Sequence, residues 1–402
     1  MVSKKIHKNY MARELYRKEE VICGNISEYR GWIKLSKFCL ELILSEIDNV
    51  NTRTELIFVL EKKFKLGIWN KLIDDLIYIN YLSDTEVDFK IEKITFDITS
   101  KCNLNCKHCS GMFTKKSLGN LNKLLIFEIF KWAEYNNVKY VCISGGEPFI
   151  RKDIFEILNY AKNIYTGEIE VITNATLINS CDFDNIVNNI DILNISLDGY
   201  DVFSVNKIRG LGVYEKVLDV INKLKQKNFL KLKLSMVKAY GNENHISDFL
   251  KLCSFLQVEP VIRDLIYAGR ANRNNLSELE TLIHNSVLDE SNINMRCVCK
   301  SGINSLYISH DGKIYPCSTM YNLKNSFMQL SELLSDNCKS RLFLEPIVDH
   351  IESCKYCDVR YFCCNTCPSV NLSLYKNEKI VKMICDKNKK TLENIIWNKP
   401  SI

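Results

Sequence analysis

Proline and glycine are scarce, 6 and 15 in 402 residues, which excludes a collagen-like or linker-dominated chain. Long apolar runs are missing too. The greasiest early stretch, Phe38 to Ile47, already carries Glu41 and Glu46, so nothing approaches a membrane span. The basic N-terminus, MVSKKIHKNYMARELYRKEE, has no apolar core behind it and is not a secretion signal. A dominant charge is also absent. The 54 basic and 48 acidic residues leave a net +6 spread along the chain, too diffuse to imply a nucleic-acid partner. Hydrophobic residues at 46% and charged residues at 25% suffice for real cores, and the length suggests two or three domains. These readings point to a folded protein with no membrane partner, expected in the cytoplasm.

Cysteine is what the chain has in excess, 18 residues in all. A reducing cytoplasm does not hold structural disulfides, so clustered thiols there point to metal or redox chemistry. They are unevenly placed. Cys102, Cys106 and Cys109 form one group, and ten more fall between Cys297 and Cys385.

The pattern of apolar residues divides the chain in three. In residues 1–88, extended stretches around Glu20 to Gly24 and Tyr29 to Leu35 suit a small hairpin. Helical periodicity follows at Ser36 to Asp48, Thr52 to Lys65 and Ile68 to Leu82, with Gly67 as a break. Thr52-Arg-Thr-Glu55 has the form of a capping box. Strands followed by three short helices predict a winged-helix module. From 89 to 272, β-rich runs at Ile94 to Ile98, Lys139 to Ile143, Ile169 to Ile172, Ile192 to Ser196, Lys231 to Met236 and Pro260 to Asp264 alternate with helical stretches. Six such units predict an α/β fold with a parallel sheet, open or curled into part of a barrel. Residues 273–402 form the cysteine-rich tail.

Cys102-Asn-Leu-Asn-Cys106-Lys-His-Cys109 follows the first of these strands directly. Chance gives about 0.04 such triplets in a chain of this cysteine content. A structural zinc site wants four protein ligands, and no fourth lies nearby. Three thiolates on one loop suit three corners of a [4Fe–4S] cubane with one iron left open.

This C-x3-C-x2-C loop resembles the signature of the radical S-adenosylmethionine (SAM) superfamily, and the resemblance extends over about 90–270. Gly145-Gly146-Glu147-Pro148 looks like the family's site for the SAM amine. Thr173 and Asn174, then Ser196 and Asp198, resemble the polar residues around the SAM ribose and methionine. Taken singly, each also suits a turn or helix cap. By the same resemblance Arg209 would meet the methionine carboxylate, and His108 fills the slot of the aromatic residue beside the adenine. The resemblance implies a partial (β/α)6 TIM-like barrel in which SAM is cleaved to a hydrogen-abstracting 5′-deoxyadenosyl radical.

Cys299, Cys317, Cys354, Cys357, Cys363, Cys367 and Cys385 are spaced as in the SPASM extension of that superfamily. The resemblance implies two auxiliary [4Fe–4S] clusters, three clusters in total. Cys299, Cys317 and Cys367 would serve the first, completed by Cys297 unless that site stays open. Cys354, Cys357, Cys363 and Cys385 would serve the second. A pair of zinc knuckles is the competing reading of this tail.

Two subgroups of that family compete. Anaerobic sulfatase-maturing enzymes, which make formylglycine, carry a proton-accepting aspartate where this chain has Ser318. Many maturases of ribosomally made peptides carry an N-terminal PqqD-like winged-helix element, which residues 15–88 resemble in element order and size. The implied activity is thioether or carbon–carbon cross-linking of a precursor peptide bound by its leader, with peptide epimerisation as a further alternative. An electron donor such as flavodoxin or ferredoxin would be needed. DNA binding fits poorly, because the third helix offers one lysine against Asp74 and Asp75. An electron-carrying iron–sulfur protein is the non-enzymatic rival, and it would have no use for the Gly145-Gly146 loop.

Overall fold

The structure, a computed structural model, describes residues 5–27, 30–85, 91–117, 119–238, 243–266, 268–274, 293–295, 301–302, 304–323, 328–335, 347–350, 352, 354–363 and 378–398. The chain divides into two compact units. The first comprises residues 1–88, 283–300 and 345–402, and the second comprises 89–282 and 301–344. The tail from 273 onward is thus shared between both units.

In the first unit, β1 (His7–Lys8) is followed by an antiparallel sheet of β2 (Ala12–Arg17), β3 (Glu20–Asn25) and β4 (Trp32–Ser36). Pairing of β3 with β4 is the expected hairpin, and β2 adds a strand that its polar sequence ARELYR concealed. Helices α1 (Lys37–Ile47), α2 (Arg53–Phe64) and α3 (Trp69–Tyr78) come next. The capping box at α2 is complete, with Thr52 accepting from the Glu55 amide and Glu55 from the Thr52 amide. Helix α3 ends earlier than its periodicity suggests. Asn80 turns left-handed (φ 55°), and β5 (Leu82–Ser83) pairs back with β1.

Alternation along the strands gives this sheet two faces. Val21, Cys23, Ile33 and Leu35 pack against the helices. The other face meets the tail. There Lys34 is buried and donates to the Trp397 carbonyl at 2.8 Å, while Trp32 donates to the Ile293 carbonyl and stands edge-on to Phe362. A Cβ added at Gly24 would lie 2.7 Å from the Met295 sulfur.

The second unit is built on β6 (Lys93–Thr99), β7 (Tyr140–Gly145), β8 (Glu168–Thr173), β9 (Ile192–Ser196), β10 (Leu232–Lys238) and β11 (Glu259–Asp264). They lie side by side in sequence order and all parallel. Between them run α4 (Lys123–Tyr135), α5 (Ile154–Ile164), α6 (Phe183–Asn189), α7 (Val202–Ile208), α8 (Val213–Gln226) and α9 (Ile246–Phe255). An order that never reverses is that of a barrel arc rather than a doubly wound sheet. The sheet continues beyond β6. After α10 (Arg270–Arg273), β12 (Ser305–Ile308) joins it in parallel, followed by the antiparallel β13 (Lys313–Tyr315) and β14 (Met328–Gln329). The core lies between strands and crossover helices, with Phe96, Phe130, Ile143, Leu158 and Leu193 fully buried. No helix among the described residues is long and apolar enough to cross a membrane.

Candidate functional site

A cavity of about 270 Å³ opens at the carboxyl ends of these strands. Cys102, Cys106 and Cys109 line it together, with Cys102 and Cys106 only 9% exposed. Local bonding explains why the loop holds its shape. The Cys102 amide donates to Thr114, and the Cys109 amide turns back to the Cys106 carbonyl. Arg270, at the start of α10 after β11, clamps the loop, donating to the carbonyls of Cys106 (2.7 Å) and Phe113 (3.1 Å). Gly269, at φ 59°, lets this clamp sit against the Ser110 carbonyl.

The paired glycines serve close approach of backbone. A Cβ on Gly145 would fall 2.3 Å from the Thr99 carbonyl oxygen, and one on Gly146 would fall 2.1 Å from that of Lys101. Without them the end of β7 could not bond to the start of the cysteine loop, as Gly146 and Glu147 do through their amides. Glu147 and Pro148 lie behind the cavity wall rather than on it. The buried Glu147 carboxylate accepts from the Thr173 hydroxyl, the Asn174 amide and the Phe149 amide, which ties the ends of β7 and β8 together.

Thr173, Asn174, Ser196 and Asp198 reach the wall from successive strand ends, and His108 and Arg209 complete it. Asp198 organises this side. Its carboxylate takes Arg209 at 2.6 Å, His108 Nε2 at 3.1 Å and the Val237 amide at 2.6 Å. Burial alone would raise its pKa, yet the Arg209 guanidinium and His108 hold it well below the usual range. Arg209, expected at a methionine carboxylate, is therefore committed to Asp198 and directs Nη1 toward the Cys106 sulfur at 3.9 Å. Asn174 similarly directs its amide nitrogen toward the Cys102 sulfur at 4.0 Å.

The donor set fits an iron–sulfur cluster. Burial pushes the Cys102 thiol up to about 11, and burial also raises Cys106 against the pull of Arg209. Such thiols keep their protons unless a bound metal displaces them. Among the described residues no three side chains converge on a single-ion site. A cubane holds its thiolates apart, so a thiol-lined cavity is what it needs, with Arg209 and Asn174 as donors to sulfur. The His108 Nδ1 atom, buried and without a hydrogen-bond partner, is a further polar atom for a ligand to satisfy.

In the tail, Cys354, Cys357, Cys363 and Cys385 are electrostatic neighbours. Burial, then the charges of Cys385, Cys357 and Cys354, push the Cys363 thiol up to about 12. Cys317 bonds with the Thr319 hydroxyl at 2.8 Å. Cys297, Cys299 and Cys367 lie outside the described residues. Cys253 is buried in the apolar core and Cys142 is buried beside Thr95 and Asp97, whereas Cys181 is exposed.

Several cavity residues were invisible in the sequence, chief among them Asp97, Ser235, Arg263, Tyr307 and Tyr321. Strand alternation alone does not say which face of a doubly buried strand meets a ligand.

Comparison with known proteins agrees with this geometry. Pre-heme d1 synthase of Dinoroseobacter shibae is 29% identical over 185 residues, 45% of this chain and 45% of that protein. Mycofactocin maturase MftC of Mycobacterium tuberculosis is 30% identical over 169 residues, 40% of this chain and 41% of that protein. The chain thus spans less than half the length of these curated relatives. Streptococcus suis SuiB bound to S-adenosylmethionine shares the fold, with a TM-score of 0.54 at 14% identity over 91% of this chain and 96% of that one. SuiB has also been solved bound to precursor peptide SuiA. Residues 96–253 match the Radical SAM superfamily. The chain contains a Radical SAM superfamily domain.

Proposed function

We propose that the protein is a radical SAM/SPASM maturase that cross-links a ribosomally made precursor peptide. The observation that carries this reading is a shared cavity in which Cys102, Cys106 and Cys109 meet Asp198, Arg209 and the polar ends of β8 and β9. The similarity to MftC, itself a maturase by name, supports the maturase reading. Residues 1–88 would act as a PqqD-like winged-helix module that takes the leader as an added strand. Residues 89–272 would form the catalytic domain, and 273–402 a SPASM domain with two auxiliary clusters. The electrostatic proximity of Cys354, Cys357, Cys363 and Cys385 supports their assignment to one of these. A flavodoxin or ferredoxin would supply electrons.

Cys102, Cys106 and Cys109 would hold a cluster that, once reduced and with SAM bound, would supply hydrogen-atom abstraction from the substrate. The chain's own contribution is placement and exclusion. The three cysteines would fix the cluster, and Arg209 and Asn174 already donate toward the sulfurs of Cys106 and Cys102. Asp198 holds Arg209 and His108 in place, so the wall is preorganised before ligands arrive. Ser196 and Ser235, hydroxyls 3.5 Å apart, offer donors to a ribose.

The test is anaerobic co-expression with the precursor peptide, read by intact mass and tandem spectra. A loss of two hydrogens per modified residue, abolished by Cys102→Ala, is expected. An aldehyde captured by a hydrazide would identify formylglycine instead, and an unchanged mass with inverted chirality would identify an epimerase. Holoprotein that never cleaves SAM in the presence of reductant would overturn the enzymatic reading.

A further inference from the structure

One buried acid in the cavity has no part in the site described above. Asp97 lies on β6, is 5% exposed, and lines the cavity with the three cysteines. Its only hydrogen-bond donor among the described residues is the Tyr307 hydroxyl, brought alongside because β12 pairs with β6. Among the described residues no cation pairs with it, and burial and the Tyr307 hydrogen bond are what act on its carboxyl. A fold gains nothing from such a group. Burying a carboxyl without a cation is costly, and an apolar residue would fill a strand position better.

Two other observations narrow what it does. The only other acid on the wall among the described residues is Asp198, whose carboxylate is saturated by Arg209, His108 and the Val237 amide and cannot take up a proton near neutrality. Ser318 also lines the cavity, and its hydroxyl is a poor base. A reaction that removes two hydrogens per modified residue must dispose of one as an abstracted atom and the other as a proton. That proton needs an acceptor in the cavity.

We propose that Asp97 is this acceptor and that Tyr307 positions its carboxylate. The proposal rests on the maturase reading given above. In the step itself, the X–H bond of a substrate thiol, hydroxyl or amide breaks and an O–H bond forms on Asp97. The electron pair stays on X, so nothing is oxidised in this transfer. The electron that completes the oxidation would leave separately, with an auxiliary iron–sulfur cluster held by the tail cysteines as the class of acceptor. Burial raises the Asp97 pKa to about 7, against the lowering effect of the Tyr307 hydrogen bond, which suits a base working near neutral pH. The titratable and charged groups around it are Tyr307 from β12, Tyr321 from the turn after Cys317 and Cys142 from β7, with Lys93 of β6 and Arg263 of β11 acting on the same Cys142.

The test uses holoprotein with SAM, reductant and precursor peptide, and compares Asp97→Asn and Tyr307→Phe with the native chain. The quantity read is 5′-deoxyadenosine released per peptide modified. Asp97→Asn is expected to raise this ratio at least tenfold, because hydrogen is abstracted but the proton has no acceptor. Tyr307→Phe removes a bond that lowers the Asp97 pKa, so the acid limb of the pH profile should move to higher pH. An Asp97→Asn protein with the native ratio and profile would overturn the proposal. If the native protein cleaves no SAM, the maturase reading fails by itself. Infrared titration of the carboxyl band absent from Asp97→Asn then decides the acid separately: a midpoint near pH 7 supports the assignment, and one below pH 5 sinks it.

Discussion

Asp198 adopts a left-handed backbone (φ 64°) that few non-glycine residues tolerate, and does so while fully buried. Its position is held by what it binds, since Arg209, His108 and the Val237 amide all converge on one carboxylate. Removing the charge would leave the Arg209 guanidinium buried and unpaired. Asp198→Asn is therefore expected to cost about 3 kcal/mol in urea unfolding at neutral pH. The sign of the pH dependence follows from the lowered pKa. Stability from this carboxylate is present above the ordinary value of 3.8 and is lost as pH falls through its depressed one. The deficit of the variant should accordingly shrink in strong acid and stay constant from pH 5 upward. Gly146 is constrained differently, by a carbonyl 2.1 Å from where a Cβ would stand. At this scale the sequence showed which residues matter through motif spacing, but not what they touch. The Gly145-Gly146 pair was legible as a special loop, while its packing against Thr99 and Lys101 was not.

Among elements, those with a strong period were readable. The β–α alternation from β6 to β11 reproduces the expected segments to within a residue or two, because each strand is a short apolar run bounded by helical patterns. The Thr52 cap was readable for the same local reason, and Thr52→Ala should cost about 1 kcal/mol of thermal or urea stability. Elements defined by distant partners were not readable. The four residues of β12, Ser-Leu-Tyr-Ile, acquire meaning only beside β6, some two hundred residues earlier in the chain. Strand β2 hid its character behind charged residues that alternate with Ala12 and Leu15, both buried. Asp97 and Tyr307 went unrecognised as a pair for that reason: one sits on the strand everyone would draw, the other on the strand no local pattern announces.

At the scale of the molecule, the first 88 residues do not form a unit alone but share one with 283–300 and 345–402. The helix–sheet module has an interior of its own, yet the outer face of its sheet is covered by Met295, Phe362 and Trp397. Deleting the C-terminal helix α11 (Glu378–Trp397) should therefore loosen a sheet that lies at the other end of the sequence. Hydrogen exchange checks this directly. Amides of Val21 to Cys23 and Ile33 to Leu35 are expected to exchange at least a hundredfold faster in the truncated protein, with β7 to β9 keeping native protection.

The same arrangement imposes an order on biosynthesis. Lys34 is translated roughly 360 residues before the Trp397 carbonyl it binds, a gap of about 20–70 s at about 5–20 residues per second. Throughout that interval the sheet leaves the ribosome with Ile22 and Trp32 on an open face. A nascent chain of this kind presents a greasy, strand-edged surface for the better part of a minute, and its yield in a cell will depend on what shields it during that wait.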